Sequence, residues 1–181
     1  MRMTVSDEQL ALQAAEGDRS AFSALLSRHY DRLFAFAMRM TGNRAEAEDL
    51  TQDICMALPG KLAGFRAEAK FTTWLYRVTV NAAHDRRRRA ATRSKAADGW
   101  GDWETGRQAS NREEAEARDW LVQAMRALPP DIRDTMALTM GEGLSQKETA
   151  AILDVSEGTI AWRMSEAKRR LKAIHAAEEQ L

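Results

Sequence analysis

Cysteine, net charge and long apolar runs are all scarce in this sequence of 181 residues. Cys55 is the only cysteine, which excludes an intrachain disulfide and a cysteine-based zinc site and is typical of a small buried residue. No run approaches the ~20 apolar residues that cross a bilayer, and the stretch MRMTVSDEQL has no apolar signal segment. We therefore expect a cytoplasmic protein with no membrane insertion.

Motifs of catalysis are missing as well. The sequence has no Gly-rich phosphate loop and no nucleophile elbow. Its three histidines, His29, His84 and His175, are too far apart in sequence to suggest a metal site. We expect no catalytic residue, no metal and no cofactor, so an enzyme is the least favoured class of function.

Charge is balanced overall but unevenly distributed. Lys plus Arg and Asp plus Glu both number 27, which argues against a uniformly basic nucleic-acid coat protein. Residues 1–97 carry 16 basic against 11 acidic side chains, residues 98–130 carry 4 against 7, and residues 131–181 carry 7 against 9. The N-terminal half is thus basic, and a local basic patch is what meets phosphates.

Helical periodicity dominates the sequence, and the fold class we predict is all-α. Four helices are predicted in the first half, over residues 6–17, 18–40, 43–58 and from 71 into the run HDRRRR. Pro59-Gly60 ends the third helix. The arginines lie at the C-terminal end of the fourth, where the helix dipole favours cations.

Composition changes at about residue 96. The stretch AADGWGDWETGRQASN has three glycines and no helical period, which is typical of a linker. Helical patterning resumes at Arg112. We predict two small helical domains, residues 1–95 and 113–181, joined by a flexible linker over 96–112.

The stretch LSQKETAAILDVSEGTIAWRMSEAKRRLK is the most informative part of the second half. Ser145 and Glu148 form a capping box for a short helix, Asp154 opens a turn, and Ser156 caps a second helix. Two such helices around a turn of about four residues are typical of a helix-turn-helix. An ordinary helical hairpin with a solvated face is the alternative.

The second of these helices has two distinct sides at 100° per residue. Its core side carries Ile160, Met164, Ala167, Leu171 and Ile174. Its outer side carries Trp162, Ser165, Glu166 and Arg169, with Gly158 and Thr159 in the first turn. A polar side near a helix N-terminus is the part that enters the major groove of DNA in such motifs. An exposed tryptophan also indicates contact with a binding partner.

The segment NRAEAEDLTQDICMAL places acidic and polar residues on one side of the third helix, namely Glu46, Asp49, Gln52, Asp53 and Met56. Asp49 and Asp53 are one turn apart, so their charges repel by a few tenths of a kcal/mol. Such a helix gains from a basic partner. The alternative is a solvated acidic face near a helix N-terminus.

Basic and aromatic residues are mixed in the following segment, GFRAEAKFTTWLYRVTVNAAHDRRRR. Bases stack on rings while cations follow the backbone, so this mixture suits single-stranded DNA. Core packing of Trp74 and Tyr76 is the competing interpretation.

Together these segments resemble bacterial sigma-70 factors of the extracytoplasmic-function branch. AEAEDLTQDICMAL resembles region 2.2, FTTWLYRVTVNAAHDRRRR resembles regions 2.3 and 2.4, and LPPDIRDTMALTMGEGLSQKETAAILDVSEGTIAWRMSEAKRRL resembles region 4. The three occur in the family's order. The resemblance implies a sigma factor that directs promoter-specific transcription initiation, performs no bond chemistry and is held inactive by an anti-sigma factor.

The resemblance also assigns residues to partners. Docking on core RNA polymerase, through the β′ clamp helices and the β subunit, is assigned to Asp49, Gln52, Asp53 and Met56. Melting and capture of the −10 element is assigned to Phe65, Arg66, Lys70, Trp74, Arg77, Asn81, Arg86 and Arg89, with Asn81 at a flipped base. Recognition of the −35 duplex is assigned to Lys147, Thr159, Trp162, Arg163, Ser165, Glu166 and Arg169.

Three alternatives stay open at this point. Relatives often carry arginines where this chain has Trp162, Ser165 and Glu166, so either its −35 preference differs or its −35 contacts are mainly to phosphate and shape. Trp100 and Trp103 in the linker either thread toward the polymerase RNA channel or pack the two domains together. The rival function is a stand-alone helix-turn-helix regulator that binds duplex operator without polymerase.

Overall fold

The computed structural model describes residues 5–96, 120 and 122–178, and the regular structure in these ranges is helical. The first half contains α1 (Asp7–Ala15), α2 (Arg19–Thr41), α3 (Arg44–Leu62) and α4 (Phe71–Ala96). Residues 122–127 are also helical, and they are followed by α5 (Pro130–Met136), a π-helical turn (Ala137–Gly141), α6 (Gln146–Leu153) and α7 (Glu157–Glu178). The all-α prediction is confirmed.

The helix starts follow from local capping chemistry. At α1, the Ser6 hydroxyl accepts from the Gln9 amide and the Gln9 side chain accepts from the Ser6 amide, which completes a capping box. The Asp18 carboxylate caps α2 and the Asn43 side chain caps α3. Gly42 ends α2 in the left-handed conformation, with φ of 67°.

Two predicted helix ends are wrong. α3 continues through Pro59 to Leu62, because Leu58 and Leu62 are both buried in the core and this packing outweighs the lost backbone hydrogen bond. α4 runs on to Ala96, so the run HDRRRR lies inside the helix rather than in its last turn. The dipole argument for those arginines does not apply.

The main core lies between α1, α2, α3 and α4. Its largest fully buried side chains include Leu25, Leu33, Phe36, Leu50, Ile54, Leu58, Leu62 and Phe71. Burial of each such side chain stabilises the fold by about 1.5–3 kcal/mol. This core holds the outward sides of α3 and α4 in fixed positions.

The C-terminal half has a smaller core of its own, formed by Met125, Leu128, Ile132 and Ala167. It also contributes Ala137, Leu138 and Ile152 to the main core, so the two halves pack against each other. Residues 97–119, which include nearly all of the predicted linker with Trp100 and Trp103, lie outside the described residues. The predicted domain limits stay predictions.

Candidate functional site

The acidic side of α3 is exposed to solvent. Asp49, Gln52 and Asp53 are all at the surface, and Met56 is 75% exposed. The opposite side of the same helix faces the core. Met56 thus exposes a long apolar side chain on the same side of α3 as two carboxylates.

The two carboxylates already share one cation within the chain. The Arg86 guanidinium of α4 donates to Asp53 Oδ2 at 2.5 Å and to Asp49 Oδ2 at 3.3 Å. This ion pair offsets the repulsion between the two aspartates. Arg86 therefore points toward α3 here, and a contact with −10 phosphates requires it to exchange these carboxylates for a phosphate.

The loop between α3 and α4 presents cations but not its aromatic ring. Phe65 is only 5% exposed, and its ring packs edge-on against Trp74 with centroids 5.4 Å apart. In this arrangement the ring completes the aromatic cluster beneath the loop, so the predicted contact of Phe65 with −10 DNA requires the loop to rearrange. Arg66 and Lys70 are exposed, and Ala67 between them adopts a positive φ of 54°.

Trp74, Arg77 and Asn81 follow one another at helical spacing along α4. Trp74 is half-buried against the main core, whereas Arg77 and Asn81 are exposed. Tyr76 is the ring that enters the core, at 2% exposure. The exposed amide of Asn81 is thus available for hydrogen bonding to a base edge.

The four arginines of HDRRRR have different surroundings. Arg86 binds α3, while Arg87 donates to Asp134 Oδ2 at 2.5 Å. Arg88 is 79% exposed and lies 3.9 Å from Asp85, and Arg89 is also exposed. Consecutive helix residues point about 100° apart, so the run is not one continuous cationic surface.

The predicted helix-turn-helix is present in the C-terminal half. Ser145 and Glu148 form the expected capping box at α6, and Asp154 ends that helix in the left-handed conformation. The Ser156 hydroxyl then accepts from the Thr159 amide at 3.1 Å and so caps the start of α7. Local side-chain chemistry places both helices.

The outer side of α7 presents an apolar ring. Trp162 is 61% exposed and Ser165 is at the surface, while the Thr159 hydroxyl lies 2.9 Å from that of Ser156. Lys147 on α6 is exposed. The core side holds Ile160 and Ala167 fully buried, as predicted, whereas Glu166 of the predicted outer side is partly buried.

Glu166 is engaged by neighbouring arginines. Its carboxylate accepts from Arg169 Nη2 at 2.6 Å and from Arg170 Nε at 2.7 Å. The hydrogen bond from Arg169, and then that from Arg170, lowers the pKa of Glu166 to about 2. The side chain is only 16% exposed, so contact with a cytosine amino group requires these bonds to open.

Arg163 does not face outward. Its side chain is 16% exposed and forms an ion pair with Asp131 at 3.3 Å. In this arrangement the guanidinium joins α7 to α5, so the predicted contact of Arg163 with the −35 duplex requires this ion pair to open. The exposed candidates on this surface are Lys147, Trp162, Ser165 and Arg169.

Two buried carboxylates join the two halves, and the sequence did not single out either of them. The Glu142 side chain is 2% exposed and accepts from Arg32 Nε at 2.8 Å and also from Arg39 and Tyr76. Burial, and then the hydrogen bond with Glu142, raises the pKa of the Tyr76 phenol far above its usual range, so it remains the donor. Because the partners of Glu142 are more than sixty residues away from it in the chain, no local sequence pattern reveals these contacts.

The second buried carboxylate is Asp134, whose side chain is also 2% exposed. It accepts from Arg87 and lies 2.9 Å from His84 Nε2.

Within the described ranges, no helix is long and apolar enough to cross a membrane, and no cluster of histidine, cysteine or acidic residues could hold a metal ion.

Known families match both halves of the chain. Sigma-70 region 2 matches residues 25–93, and Sigma-70, region 4 matches residues 118–171. These matches cover α3 and α4 with their exposed sides, and the helix-turn-helix. The fold is therefore that of a sigma-70 type transcription initiation factor.

Individual relatives narrow the assignment. The ECF RNA polymerase sigma factor SigM of Mycobacterium tuberculosis is 31% identical over 93% of this chain and 84% of that protein. The structure of CnrH in complex with the cytosolic domain of CnrY has a TM-score of 0.67 and 30% identity, over 94% of this chain and 97% of that chain.

A second solved structure is similar, that of the sigma factor RpoE in complex with the anti-sigma factor NepR from Bartonella quintana. Its TM-score is 0.75 at 26% identity, over 86% of this chain and 96% of that chain. The chain belongs to the sigma-70 family, within the ECF RNA polymerase sigma factors, which initiate transcription and are not enzymes.

Proposed function

We propose that this sigma factor docks on core RNA polymerase through the exposed side of α3, formed by Asp49, Gln52, Asp53 and Met56. The observation that carries this proposal is the exposure of Met56, at 75%, beside an acidic pair. A basic and partly apolar surface, on the β′ clamp helices with further contacts from the β subunit, complements it. Arg86 partly neutralises the aspartates until the partner arrives.

The −10 element is captured by α4 and the loop before it. Support comes from the exposed cations Arg66, Lys70 and Arg77, and from the exposed amide of Asn81. The half-buried Trp74 ring lies on the core-facing edge of this surface, where it can stack on an unpaired base. Arg86 and Arg89 supply phosphate contacts, Arg86 only after it leaves the α3 carboxylates.

The −35 duplex is read by the outer side of α7. Trp162 offers an apolar face for a thymine methyl group, and Ser165 offers a hydroxyl. Thr159 in the first turn, Lys147 on α6 and Arg169 contact the backbone and flanking positions. With Arg163 turned inward and Glu166 held by arginines, readout depends on fewer base contacts, so duplex shape contributes more.

Control by an anti-sigma factor is the regulation we propose for this chain. Support comes from the sigma factor RpoE, whose similar structure was solved with the anti-sigma factor NepR. We further propose that residues 1–95 and 113–181 act as separate domains on either side of a linker at 96–112. The site of action is the cytoplasm, where polymerase and promoter DNA meet.

Reconstituted transcription tests the function. Purified core polymerase with this protein should give run-off transcripts from a promoter of its own genome, whereas core polymerase alone should give none from it. Tight binding to a duplex operator without any initiation would instead support the stand-alone helix-turn-helix regulator.

A further inference from the structure

Glu142 connects the two halves of the chain through an ion-pair network around its buried carboxylate. It follows the π-helical turn, in which the Glu142 amide donates to the carbonyl of Ala137. Such turns insert an extra residue and are frequent at functional positions. Here the turn directs the carboxylate at α2 and α4, where Arg32, Arg39 and Tyr76 all donate to it.

The fit around this carboxylate is close. At Gly141, an added Cβ would collide with the Arg39 side chain, so the absence of a side chain lets Arg39 reach Glu142. Arg39 also donates to the Gly141 carbonyl at 3.4 Å. A carboxylate this buried is costly unless it is paired, so it requires its partners for as long as the halves are in contact.

A second set of contacts acts beside it. Asp134 on α5 is bound by Arg87 and His84 of α4, and the Arg133 guanidinium donates to the carbonyls of Thr41 at 3.0 Å and Met40 at 3.3 Å. Together with Leu138 and Ile152 in the main core, these contacts close the C-terminal half onto the N-terminal half. We name this arrangement the closed state.

The closed state is too small to read both promoter elements. The −10 and −35 elements are centred about 25 base pairs apart, or about 85 Å along B-DNA at ~3.4 Å per base pair. A compact chain of this length has a radius of gyration of about 16 Å and a diameter of about 40 Å. The two halves must therefore separate before α4 and α7 occupy both elements.

We propose that the contact of Glu142 with Arg32, Arg39 and Tyr76 is an autoinhibitory latch that holds this sigma factor in the closed state. The proposal rests on the function proposed above, because closure inhibits only a protein that must span two DNA elements. Opening exposes the carboxylate and its cations to water, where each is well solvated. The fraction of open chain then limits the apparent affinity for core polymerase and promoter.

Glu142→Gln in the full chain tests the latch. The matched control is Glu16→Gln, the same substitution at an exposed glutamate that follows α1. Small-angle X-ray scattering should show a radius of gyration larger by roughly a fifth than that of the wild type, with helical circular dichroism unchanged. Run-off transcription at sub-saturating protein should rise several-fold. The control should match the wild type in both measurements.

An unchanged radius of gyration with unchanged transcription would overturn the latch. If Glu142→Gln loses helical signal, Tyr76→Phe decides, because it removes only one hydroxyl and keeps the ring that packs on Phe36 with centroids 5.0 Å apart. A larger radius of gyration for Tyr76→Phe would support the latch, and a radius of gyration equal to that of the wild type would reject it. Absence of run-off from every variant would refute the proposed function, while scattering still reports on the contact itself.

Discussion

The Arg86 guanidinium of α4 lies 2.5 Å from Asp53 Oδ2 and 3.3 Å from Asp49 Oδ2 of α3. One cation from the helix proposed to bind −10 DNA thus neutralises part of the surface proposed to bind polymerase. Both aspartates remain more than half exposed, so a stronger basic partner can displace Arg86. We therefore expect polymerase docking on α3 to release Arg86 for its proposed contact with −10 DNA.

Asp53→Lys should weaken association with core polymerase by at least about tenfold, because it reverses a charge at the centre of the docking surface. The thermal midpoint should change little, since exposed ion pairs contribute about 0.2–1 kcal/mol. Titration of labelled protein with core polymerase measures the affinity. Glu48→Lys is the control on the same helix, where Glu48 pairs with Arg44 at 2.8 Å; equal losses from both variants would show nonspecific electrostatics.

Arg86→Gln should tighten core association up to about fivefold, because the aspartates no longer have to exchange an internal partner. The same variant should lower the salt dependence of −10 strand binding by about one counterion. Arg88→Gln, on the same helix but 3.9 Å from its acidic neighbour Asp85, controls for the loss of one positive charge. If Arg86→Gln bound core polymerase more weakly than the wild type, Arg86 would not compete with polymerase for the two aspartates.

Asn81→Ala should relax base preference at one position of the −10 element by about 1–3 kcal/mol, the usual contribution of an amide contact to a base edge. Competition among −10 strands that differ at single positions provides the measurement. Gln123→Ala removes an exposed amide outside this surface and should leave preference intact. A wild-type preference profile for Asn81→Ala would remove its reading role.

Trp162→Ala should reduce affinity for the −35 duplex by about five- to tenfold, the size of a contact of roughly 1–1.4 kcal/mol. The fold should be unaffected, because 61% of this residue is exposed. Tyr30→Ala on α2, an aromatic residue 48% exposed, is the matched control. Duplex affinity unchanged by Trp162→Ala would place the reading surface elsewhere on α7.

Glu166 should stay ionised in mild acid, since Arg169 and Arg170 hold its pKa at about 2. A lowered carboxyl pKa contributes stability that is present above the ordinary value of 4.5 and lost as pH falls through about 2. Carbon-detected NMR titration of Glu166 should give that low midpoint. Arg169→Gln should move the midpoint upward toward 4.5, and an unmoved midpoint would show that Arg169 is not its main partner.

Local chemistry made much of this protein predictable from sequence. The capping pairs Ser6 with Gln9 and Ser145 with Glu148 act within one helical turn, so their positions follow from spacing alone. The helical stripe of α7 likewise separated buried Ile160 from exposed Trp162. The acidic side of α3 was recognised in the same way, and the helix-turn-helix followed from its caps and turn.

Tertiary packing decided which of those side chains remain available. Phe65 belongs to the aromatic cluster and Arg163 to an ion pair with α5, although each has the residue type expected of a DNA contact. The contact between the two halves includes Glu142, whose partners come from helices far away in the chain. Spacing determines which residues share a helix side, but only the packing of helices determines what that side meets.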